Sequence, residues 1–408
     1  MSTTSFPRVW AVSLLVVAAD VLDLLSTTVT NVAAPTVVRD LGASWLGASY
    51  TLAMGSLGTV AGVAALAAFG WHQARTNRPP AQCGAAGRQR GRLRHRVDGL
   101  SGDRHAERSV QRRFARSARI HIRTNHGRLS MILITGGRGA VAAHLLALLL
   151  QADQPVRVAS SNPGELQVPD GITAVTCNLR DPATFPAALS GVTEVFLYAE
   201  ASHIAEFVDA AVTAGVKHVV LLSSAGVLNP DAAGDPLAKS HLDVETALLT
   251  SPLATTLLRP GSFAGNAGAW AWPIKAGRPV SLPYPGSHTD PIHERDIAEV
   301  AFTVLTDPHH QGRRLHLTGP ESLTFSEQIE QLAEITGRPI TVNHVTREEW
   351  KQEMADYIPG PYADPLLDYW QAHDGRPVPL TDTVEQLTGH APRTFATWAR
   401  DHATAFIE

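Results

Sequence analysis

Three small residues, spaced three apart, follow an apolar strand in the segment MILITGGRGAVA, residues 131–142. Gly136 permits a tight turn, Gly139 lets the main chain approach an anion, and Ala142 keeps the next helix close to the strand. The first amides of such a helix can bind a diphosphate, because they have no partner within the helix. An ordinary strand–turn–helix shares this G-x-x-G-x-x-A pattern, so the motif needs support from the rest of the chain. The predicted diphosphate contacts are Thr135, Gly136, Gly137, Arg138, Gly139, Ala140 and Val141.

The second predicted strand ends in two serines and an asparagine, Ser160, Ser161 and Asn162. Dinucleotide enzymes select their cofactor at this position, with an acid for a ribose hydroxyl or a basic group for a 2′-phosphate. The strand tip has neither. Because hydroxyl and amide groups tolerate a phosphate better than a carboxylate does, the pattern favours NADPH (the NADP cofactor) over NADH. An ordinary loop would show the same composition.

The ends of the later strands supply the other predicted cofactor contacts. Asn178 can hydrogen-bond an adenine edge while Leu179 packs against it, and Ser223 opens beside the nicotinamide position. The turn after the sixth strand carries the chain past the nicotinamide, with Phe263 as a wall of the pocket. The predicted contacts at these strand ends are Ser160, Ser161, Asn178, Leu179, Tyr198, Ala199, Ser223, Ser224, Pro260, Gly261 and Phe263.

Strand and helix patterns alternate along residues 131–408. Strands are predicted at Met131–Ile134, Val156–Ala159, Ala174–Cys177, Glu194–Tyr198, Val219–Ser223 and Thr255–Leu258. Helices are predicted at Val141–Gln151, Pro182–Leu189, Ile204–Ala214, Ser240–Leu249, Phe325–Thr336, Arg347–Met354 and Pro392–Ile407. The alternation predicts an α/β fold: a Rossmann-type doubly wound parallel sheet with a small C-terminal α/β lobe, mainly residues 262–408, for the substrate.

Five phrases of residues 131–408, taken in order, resemble the NmrA-like, atypical short-chain dehydrogenase/reductase family. They are MILITGGRGAVA, DAAVTAGVKHVVLLSSAGV, HLDVETALLTSPLATTLLRPGSFAGNA, DPIHERDIAEVAFTVLTDP and LTGPESLTFSEQIEQLAEITGR. His241, Glu245 and the segment LRPGSFAGN look most like the NAD(P)H:quinone oxidoreductase branch, which binds NADPH and reduces quinones or azo dyes. The resemblance implies an NAD(P)H-dependent reductase of a quinone-like or other small conjugated acceptor. NmrA itself senses dinucleotides without catalysis, so a non-catalytic sensor is the alternative.

The chain departs from the parent enzymes of this family, which use Tyr-x-x-x-Lys, with a lysine that lowers the pKa of the tyrosine. Asp235 stands four residues before Lys239, so the tyrosine mechanism is absent. The candidate catalytic residues are therefore His241, as a proton donor to the reduced oxygen, and Lys239. Each has a structural alternative, since His241 can cap or pack its helix and Lys239 can be a surface residue or a ribose contact.

The C-terminal lobe contains two further groups of residues that the resemblance singles out. Flat apolar side chains are expected to line the substrate cleft or to form the core of the lobe: Trp270, Trp272, Pro273 and Tyr284. A second group matches the family's segment between the lobes and is expected to be structural: Asp290, His293, Arg295 and Asp296.

The first 130 residues differ sharply from the rest in charge. They hold 17 arginines against 6 acidic residues, whereas the remainder of the chain holds 17 basic against 32 acidic groups. Residues 1–71 contain two apolar runs, each long enough to span a bilayer. The segment Leu25–Ser44 resembles the first transmembrane helix of major facilitator superfamily drug antiporters, with Ser26 in place of the usual aspartate. We therefore expect two membrane-spanning helices, a transporter remnant, ahead of the enzyme-like part.

Residues 72–130 are rich in arginine and poor in apolar periodicity. They can be a nucleic-acid or anionic-lipid patch, a disordered linker, or a gene remnant translated in a shifted frame. The last interpretation is the most economical and makes Met131 the natural start of a free-standing enzyme.

The composition also narrows the partners and the compartment. The two cysteines, Cys83 and Cys177, lie in different regions, and no Cys/His spacing typical of zinc occurs, so we expect a reducing cytosol and no metal. The expected partner is a small-molecule acceptor and not a nucleic acid, and a homodimer is compatible with the sequence. Residues 131–408 are expected in the cytoplasm. A membrane-tethered reductase results only if residues 1–71 are expressed.

Overall fold

The structure, a computed structural model, describes residues 130–358 and 360–407. The predicted membrane-spanning helices of residues 1–71 and all but the last residue of the Arg-rich segment 72–130 lie outside this range. Among the described residues, no helix combines the length and the apolar character needed to cross a bilayer.

Seven parallel strands form the central sheet in the order β3-β2-β1-β4-β5-β6-β9. They are β1 (Ile132–Ile134), β2 (Val156–Ser160), β3 (Thr173–Thr176), β4 (Glu194–Tyr198), β5 (His218–Leu222), β6 (Ala254–Pro260) and β9 (Arg314–Leu317). The chain runs outward from β1 to β3 and then returns to the other side of β1. The carboxyl ends of β1 and β4 therefore flank a topological switch point, where ligands of such sheets bind. The predicted Rossmann-type fold is confirmed.

Helices cover both faces of this sheet because side chains alternate along each buried strand. Ile132 and Ile134 face one hydrophobic core, whereas Leu133 faces the other. The first core is closed by α1 (Ala140–Gln151) and α6 (Glu294–Thr306). The second core is closed by α2 (Phe185–Leu189), α3 (Ile204–Ala214) and α4 (Pro236–Leu249).

The C-terminal lobe consists of short elements around a core of its own, which includes Phe325, Trp398 and Phe406. Its helices are α5 (Ala271–Lys275), α7 (Phe325–Thr336), α8 (Arg347–Glu353), α9 (Gly360–Ala372), α11 (Phe395–Asp401) and α12 (Thr404–Ile407). Between them, α10 (Thr383–Thr388) packs against the first core of the sheet through Val384. The strands of the lobe form two pairs: β7 (Val280–Leu282) with β11 (Val342–His344), and β8 (His288–Thr289) with β10 (Leu323–Thr324).

Two predicted helix boundaries are wrong. The helix predicted from Ser240 begins at Pro236, because the Asp235 carboxylate accepts a hydrogen bond from the Leu237 amide and proline suits the first helical turn. The single terminal helix predicted over Pro392–Ile407 is two helices. Thr394 caps the first, α11 ends at Asp401, and the chain then turns so that Phe406 packs edge-on against Trp398.

Buried ion pairs join the last part of the chain to the sheet. Asp296 and Glu299 project from α6 and are almost fully buried. The Arg393 guanidinium bonds both carboxylates, at 2.8 Å between its Nη2 and Oε1 of Glu299, and His390 Nε2 lies 2.6 Å from Oε2 of Glu299. These contacts hold the segment before α11 against the helix that covers β1.

Candidate active site

The glycine turn at the end of β1 has a fixed backbone geometry. Gly136 adopts a φ of +62°, a left-handed conformation that residues with a β-carbon avoid. The Gly137 amide donates to the Ala159 carbonyl of β2, and the Gly139 amide donates to the Gly136 carbonyl, each at 2.9 Å. The turn is thus tied to the sheet and closed on itself.

The N-terminus of α1 directly follows this turn and presents amides toward an anion. The first helical hydrogen bond runs from Ala143 N to Gly139 O, so the amides of Ala140 and Val141 precede it. The N-cap residue Gly139 offers no side-chain cap, and the first turn contains no acidic residue. Because the positive end of the helix dipole also lies here, these residues fit a diphosphate.

Thr135, predicted to contact the cofactor, links two strands. Its hydroxyl donates to the Phe196 carbonyl at 3.1 Å and accepts from the Tyr198 amide at 2.9 Å, and the side chain is fully buried. Both of these hydrogen bonds are made within the sheet, and the predicted cofactor contact of Thr135 stays a prediction. They fasten β1 to β4 at the switch point.

Tyr198, the last residue of β4, places its ring beside the glycine turn. A β-carbon added to Gly136 would lie 2.6 Å from the ring, and one added to Gly139 would meet the phenol oxygen. Burial raises the pKa of Tyr198 to about 12, so the phenol is neutral at physiological pH. Its neighbour Ala199, another predicted contact, is half-buried at the same strand end.

The tip of β2 carries both an acid and a base, contrary to the sequence analysis. Glu165, in a short turn after the strand, lies 3.2 Å from Nη1 of Arg138, which extends from the glycine turn. Asn162 Nδ2 donates to the same carboxylate at 2.5 Å. Ser161 is exposed beside them, whereas Ser160 is buried and accepts from the Asn162 amide at 3.2 Å. The turn residues Pro163 and Gly164 were the only signal that Glu165 folds back toward the strand end.

The tip of β3 is held by local hydrogen bonds. Asn178 Oδ1 accepts from the Arg180 amide at 3.1 Å, and the predicted adenine contact of Asn178 stays a prediction. Leu179 is half-buried and packs against the second core. The Arg180 guanidinium lies 2.6 Å from Glu200, which follows β4, so an ion pair that the sequence analysis missed spans the ends of β3 and β4.

A buried three-residue chain joins the ends of β5 and β6 to α4. Ser223 Oγ donates to Oε1 of Glu245 at 2.6 Å, and Arg259 binds both carboxylate oxygens, at 2.9 and 2.5 Å. The Ser223 hydroxyl thus donates its proton to Glu245, and its predicted cofactor contact stays a prediction. Ser224 is half-buried, and its hydroxyl accepts from the Gly226 amide at 3.1 Å.

The predicted nicotinamide turn after β6 is held by the segment that follows β8. The Gly261 amide donates to the Leu317 carbonyl at 2.9 Å, and the Ser262 amide donates to Asp290 at 2.9 Å. A β-carbon on Gly261 would overlap the Asp290 carboxylate, and burial raises the pKa of this carboxyl group to about 6. Phe263 pairs with Ile292 through the backbone and is half-buried, while Pro260 ends the strand.

The two candidate catalytic residues lie on opposite faces of α4, as a spacing of two residues requires in a helix. His241 lies on the buried side with Glu245, and its Nδ1 is buried without a hydrogen-bond partner among the described residues. Burial lowers the pKa of His241, partly offset by the Glu245 carboxylate. Lys239 is exposed and pairs with Asp243 at 2.6 Å, so the structure does not bring it together with His241.

The aromatic residues predicted to line the cleft belong to separate contact groups. Trp270 packs edge-on against Phe325 in the core of the lobe, and Trp272 is exposed with the Arg278 guanidinium 4.9 Å above its ring. Tyr284 packs beside the cluster around Trp350. Pro273 is half-buried next to Trp272. Trp270 and Tyr284 thus pack in the interior of the lobe, the alternative that the sequence left open, whereas Trp272 is exposed.

Within the described residues, one group has the spacing of metal ligands: Asp296, Glu299 and His390. Arg393 already binds both carboxylates, so a cation would have to displace a buried guanidinium.

Three features together define a dinucleotide-binding domain: the topological switch point, the glycine turn, and the start of α1, which has no side-chain cap. Residues 136–308 match a family model described as NAD(P)H-binding. A (4-alkanoyl-5-oxo-2,5-dihydrofuran-3-yl)methyl phosphate reductase of Streptomyces griseus is 33% identical over 284 residues, which are 68% of this chain and 99% of the relative. An NAD(P)H azoreductase of Xenophilus azovorans is 32% identical over 287 residues, again 68% and 99%.

The fold is also similar to that of an NADPH-dependent quinone oxidoreductase of Escherichia coli, solved with NADPH. The TM-score is 0.58 at 24% identity, over 66% of this chain and 99% of that one. The chain belongs to the NAD(P)H-binding, NmrA-like family, as the five sequence phrases indicated. The transporter resemblance of residues 1–71 has no support from these comparisons.

We predict that Ala140→Pro weakens NADPH binding by about 10- to 100-fold, because it removes one amide that binds the charged diphosphate. Proline suits the first position of a helix, and Gly139 already has the extended backbone (φ −75°, ψ 147°) that a residue before proline needs. The melting temperature should therefore stay close to that of the unmodified protein. Titration of nicotinamide fluorescence measures the affinity, and unchanged binding would show that this amide does not hold the diphosphate.

Proposed function

We propose that the chain is an NAD(P)H-dependent reductase that acts on a quinone-like or other small conjugated acceptor. The observation that carries this proposal is the glycine turn and helix start after β1, which fit a diphosphate, together with His241 near the start of α4, the helix that follows β5; its Nδ1 is buried without a hydrogen-bond partner among the described residues. The two relatives support the acceptor class, because one is named an azoreductase and the other a reductase of an alkanoyl dihydrofuranone phosphate. Both names describe conjugated π systems.

The chain's own residues would bind the cofactor, orient the acceptor and protonate the reduced acceptor. Ala140 and Val141 hold the diphosphate through their amides, and the turn at Gly261 and Phe263 borders the reacting end of the cofactor. When bound, NAD(P)H supplies the hydride. His241 would pass the Nδ1 proton to the acceptor atom that has gained the electron pair while its Nε2 takes up a proton from solvent, so the ring stays neutral and no imidazolate forms; exchange with solvent then restores the original tautomer. No tyrosine–lysine pair is needed, because a quinone or azo group is already electrophilic.

The direct test follows NADPH oxidation by the full chain at the nicotinamide absorbance band. We expect turnover with a benzoquinone and with an azo dye, and none with a saturated ketone of similar size, since nothing in the site activates an ordinary carbonyl strongly. Tight NADPH binding without turnover on any conjugated acceptor would contradict the reductase proposal.

His241→Phe should lower kcat by about 100-fold and leave NADPH affinity unchanged, because it removes the proton donor but keeps the ring volume. The matched control is Lys239→Met on the exposed face of the same helix, which should retain full activity. Since burial lowers the pKa of His241, the imidazole is neutral at pH 7 and the rate should be flat between pH 7 and 8. Equal activity in both variants would assign His241 to packing.

The cofactor preference is proposed to depend on Arg138 and Glu165. The guanidinium extends from the glycine turn to the tip of β2, where a 2′-phosphate would lie, and the carboxylate there neutralises it when the site is empty. We infer a preference for NADPH in which Arg138 exchanges Glu165 for the phosphate.

Arg138→Gln should therefore reduce the ratio of kcat/KM for NADPH over NADH by about tenfold, through loss of a charge-assisted contact to phosphate. Glu165→Gln should raise that ratio, because it removes a negative charge next to the 2′-phosphate and frees the guanidinium. Steady-state kinetics with both nucleotides measures the two ratios. A preference for NADPH that neither variant changes would place the selecting residues elsewhere.

A non-catalytic dinucleotide sensor is the second candidate function. Lys239 pairs with Asp243 on the exposed face of α4, and no tyrosine precedes it at the parent family's spacing, so the usual acid catalyst is missing. In that case the chain binds NADPH without turnover, and NADPH binding changes the affinity of the chain for another protein.

A further inference from the structure

Tyr198 contacts the glycine turn from the side of β4. Its ring lies where a β-carbon on Gly136 would approach to 2.6 Å, and its Cζ lies 3.0 Å from the position of a β-carbon on Gly139. The phenol oxygen is closer still to that second position. The ring also packs edge-on against Phe196, at 5.7 Å between centroids, in the core under α1. The side chain therefore fills the space between β4 and the turn.

The phenol oxygen also interacts with the start of α1. A backbone hydrogen bond from Ala142 opposes the rise in the pKa of Tyr198 that burial causes. Ala142 is the third residue of the helix, so its amide is one of those that no helical carbonyl reaches. The phenol therefore lies at the first turn of α1, which also carries the amides of Ala140 and Val141.

The two glycines are required for different reasons. Gly136 has a left-handed φ of +62°, which excludes a side chain by backbone conformation alone. Gly139 has a φ of −75° and a ψ of 147°, which alanine adopts without strain. Of the three atoms nearest to a β-carbon at position 139, two belong to Tyr198 and the third is the Gly136 carbonyl oxygen at 3.2 Å.

We propose that Tyr198 is a positioning residue that supports the dinucleotide turn, and that its phenol is the reason for glycine at position 139. The accepted reason for such a glycine is close approach of a phosphate. Here the phenol supports the turn from the side of β4, so the turn has its binding conformation before the ligand arrives. The inference depends on dinucleotide binding at this turn but not on the acceptor or on turnover.

A double-mutant cycle tests the proposal on the full chain with NADPH as the probe. Gly139→Ala alone should weaken NADPH binding by about tenfold or more and lower the melting temperature, because the new methyl group displaces the phenol. Tyr198→Phe alone should weaken binding by about three- to tenfold, through loss of the contact to the Ala142 amide. Gly139→Ala combined with Tyr198→Phe should bind within about threefold of Tyr198→Phe, since the methyl group takes the space of the hydroxyl.

The control is Gly136→Ala, whose loss of affinity Tyr198→Phe should not restore, because backbone conformation and not the phenol excludes a side chain there. The melting temperature without NADPH is a second readout of the cycle. We expect the effects of the substitutions at positions 139 and 198 on the melting temperature to be non-additive, and those at positions 136 and 198 to be additive.

Additive losses at positions 139 and 198, in affinity and in melting temperature, would overturn the proposal. Close approach of the phosphate would then be the reason for glycine at position 139. A tolerated Gly139→Ala substitution in the unmodified background would overturn it as well. Failure of the reductase proposal gives a different result: no turnover with conjugated acceptors, while the coupling between positions 139 and 198 persists.

Discussion

The two hydrogen bonds of the Thr135 hydroxyl are the contact on which the site depends. They join β1 to β4. In the described sheet, β2 and β3 are added on one side of β1, and β4 is the first strand added on its other side, so the switch point lies between β1 and β4. Every ligand-facing feature follows from this junction: the turn leaves β1 one residue later, and Tyr198 leaves β4 at the same level. If the strands separated here, the turn would lose its support and the start of α1 would shift away from the sheet.

Most polar groups at the strand ends bind one another and not a ligand. Ser223, Glu245 and Arg259 form one closed set, and Asp290 holds the turn after β6. Buried polar groups need such partners because an unpaired one costs about 1–3 kcal/mol. Among the described residues, the groups without such a partner include the first amides of α1 and Nδ1 of His241. A site of this kind positions reactants and moves one proton, which suits acceptors that are already electrophilic.

Sequence patterns predicted all the strands that build the switch point, since buried parallel strands are apolar throughout and end at turn residues. The residue-level predictions were weaker wherever partners lie far apart in the chain. Thr135 and Ser223 looked like ligand contacts because small hydroxyls at strand ends serve either purpose, and only the fold shows Phe196 and Glu245 beside them. Glu165 was missed because it reaches Arg138 across a turn whose direction the sequence does not fix.

The ion pairs of Arg393 have a consequence for biosynthesis. Asp296 lies 97 residues before its guanidinium partner. When α6 leaves the ribosome, its two carboxylates, which are buried in the folded protein, therefore do not yet have this cationic partner. Burying such charges unpaired costs several kcal/mol, enough to keep α6 off the nascent sheet. The two carboxylates therefore gain their guanidinium partner only after residue 393 has been made, and we expect α6 to complete its packing against α1 late in synthesis.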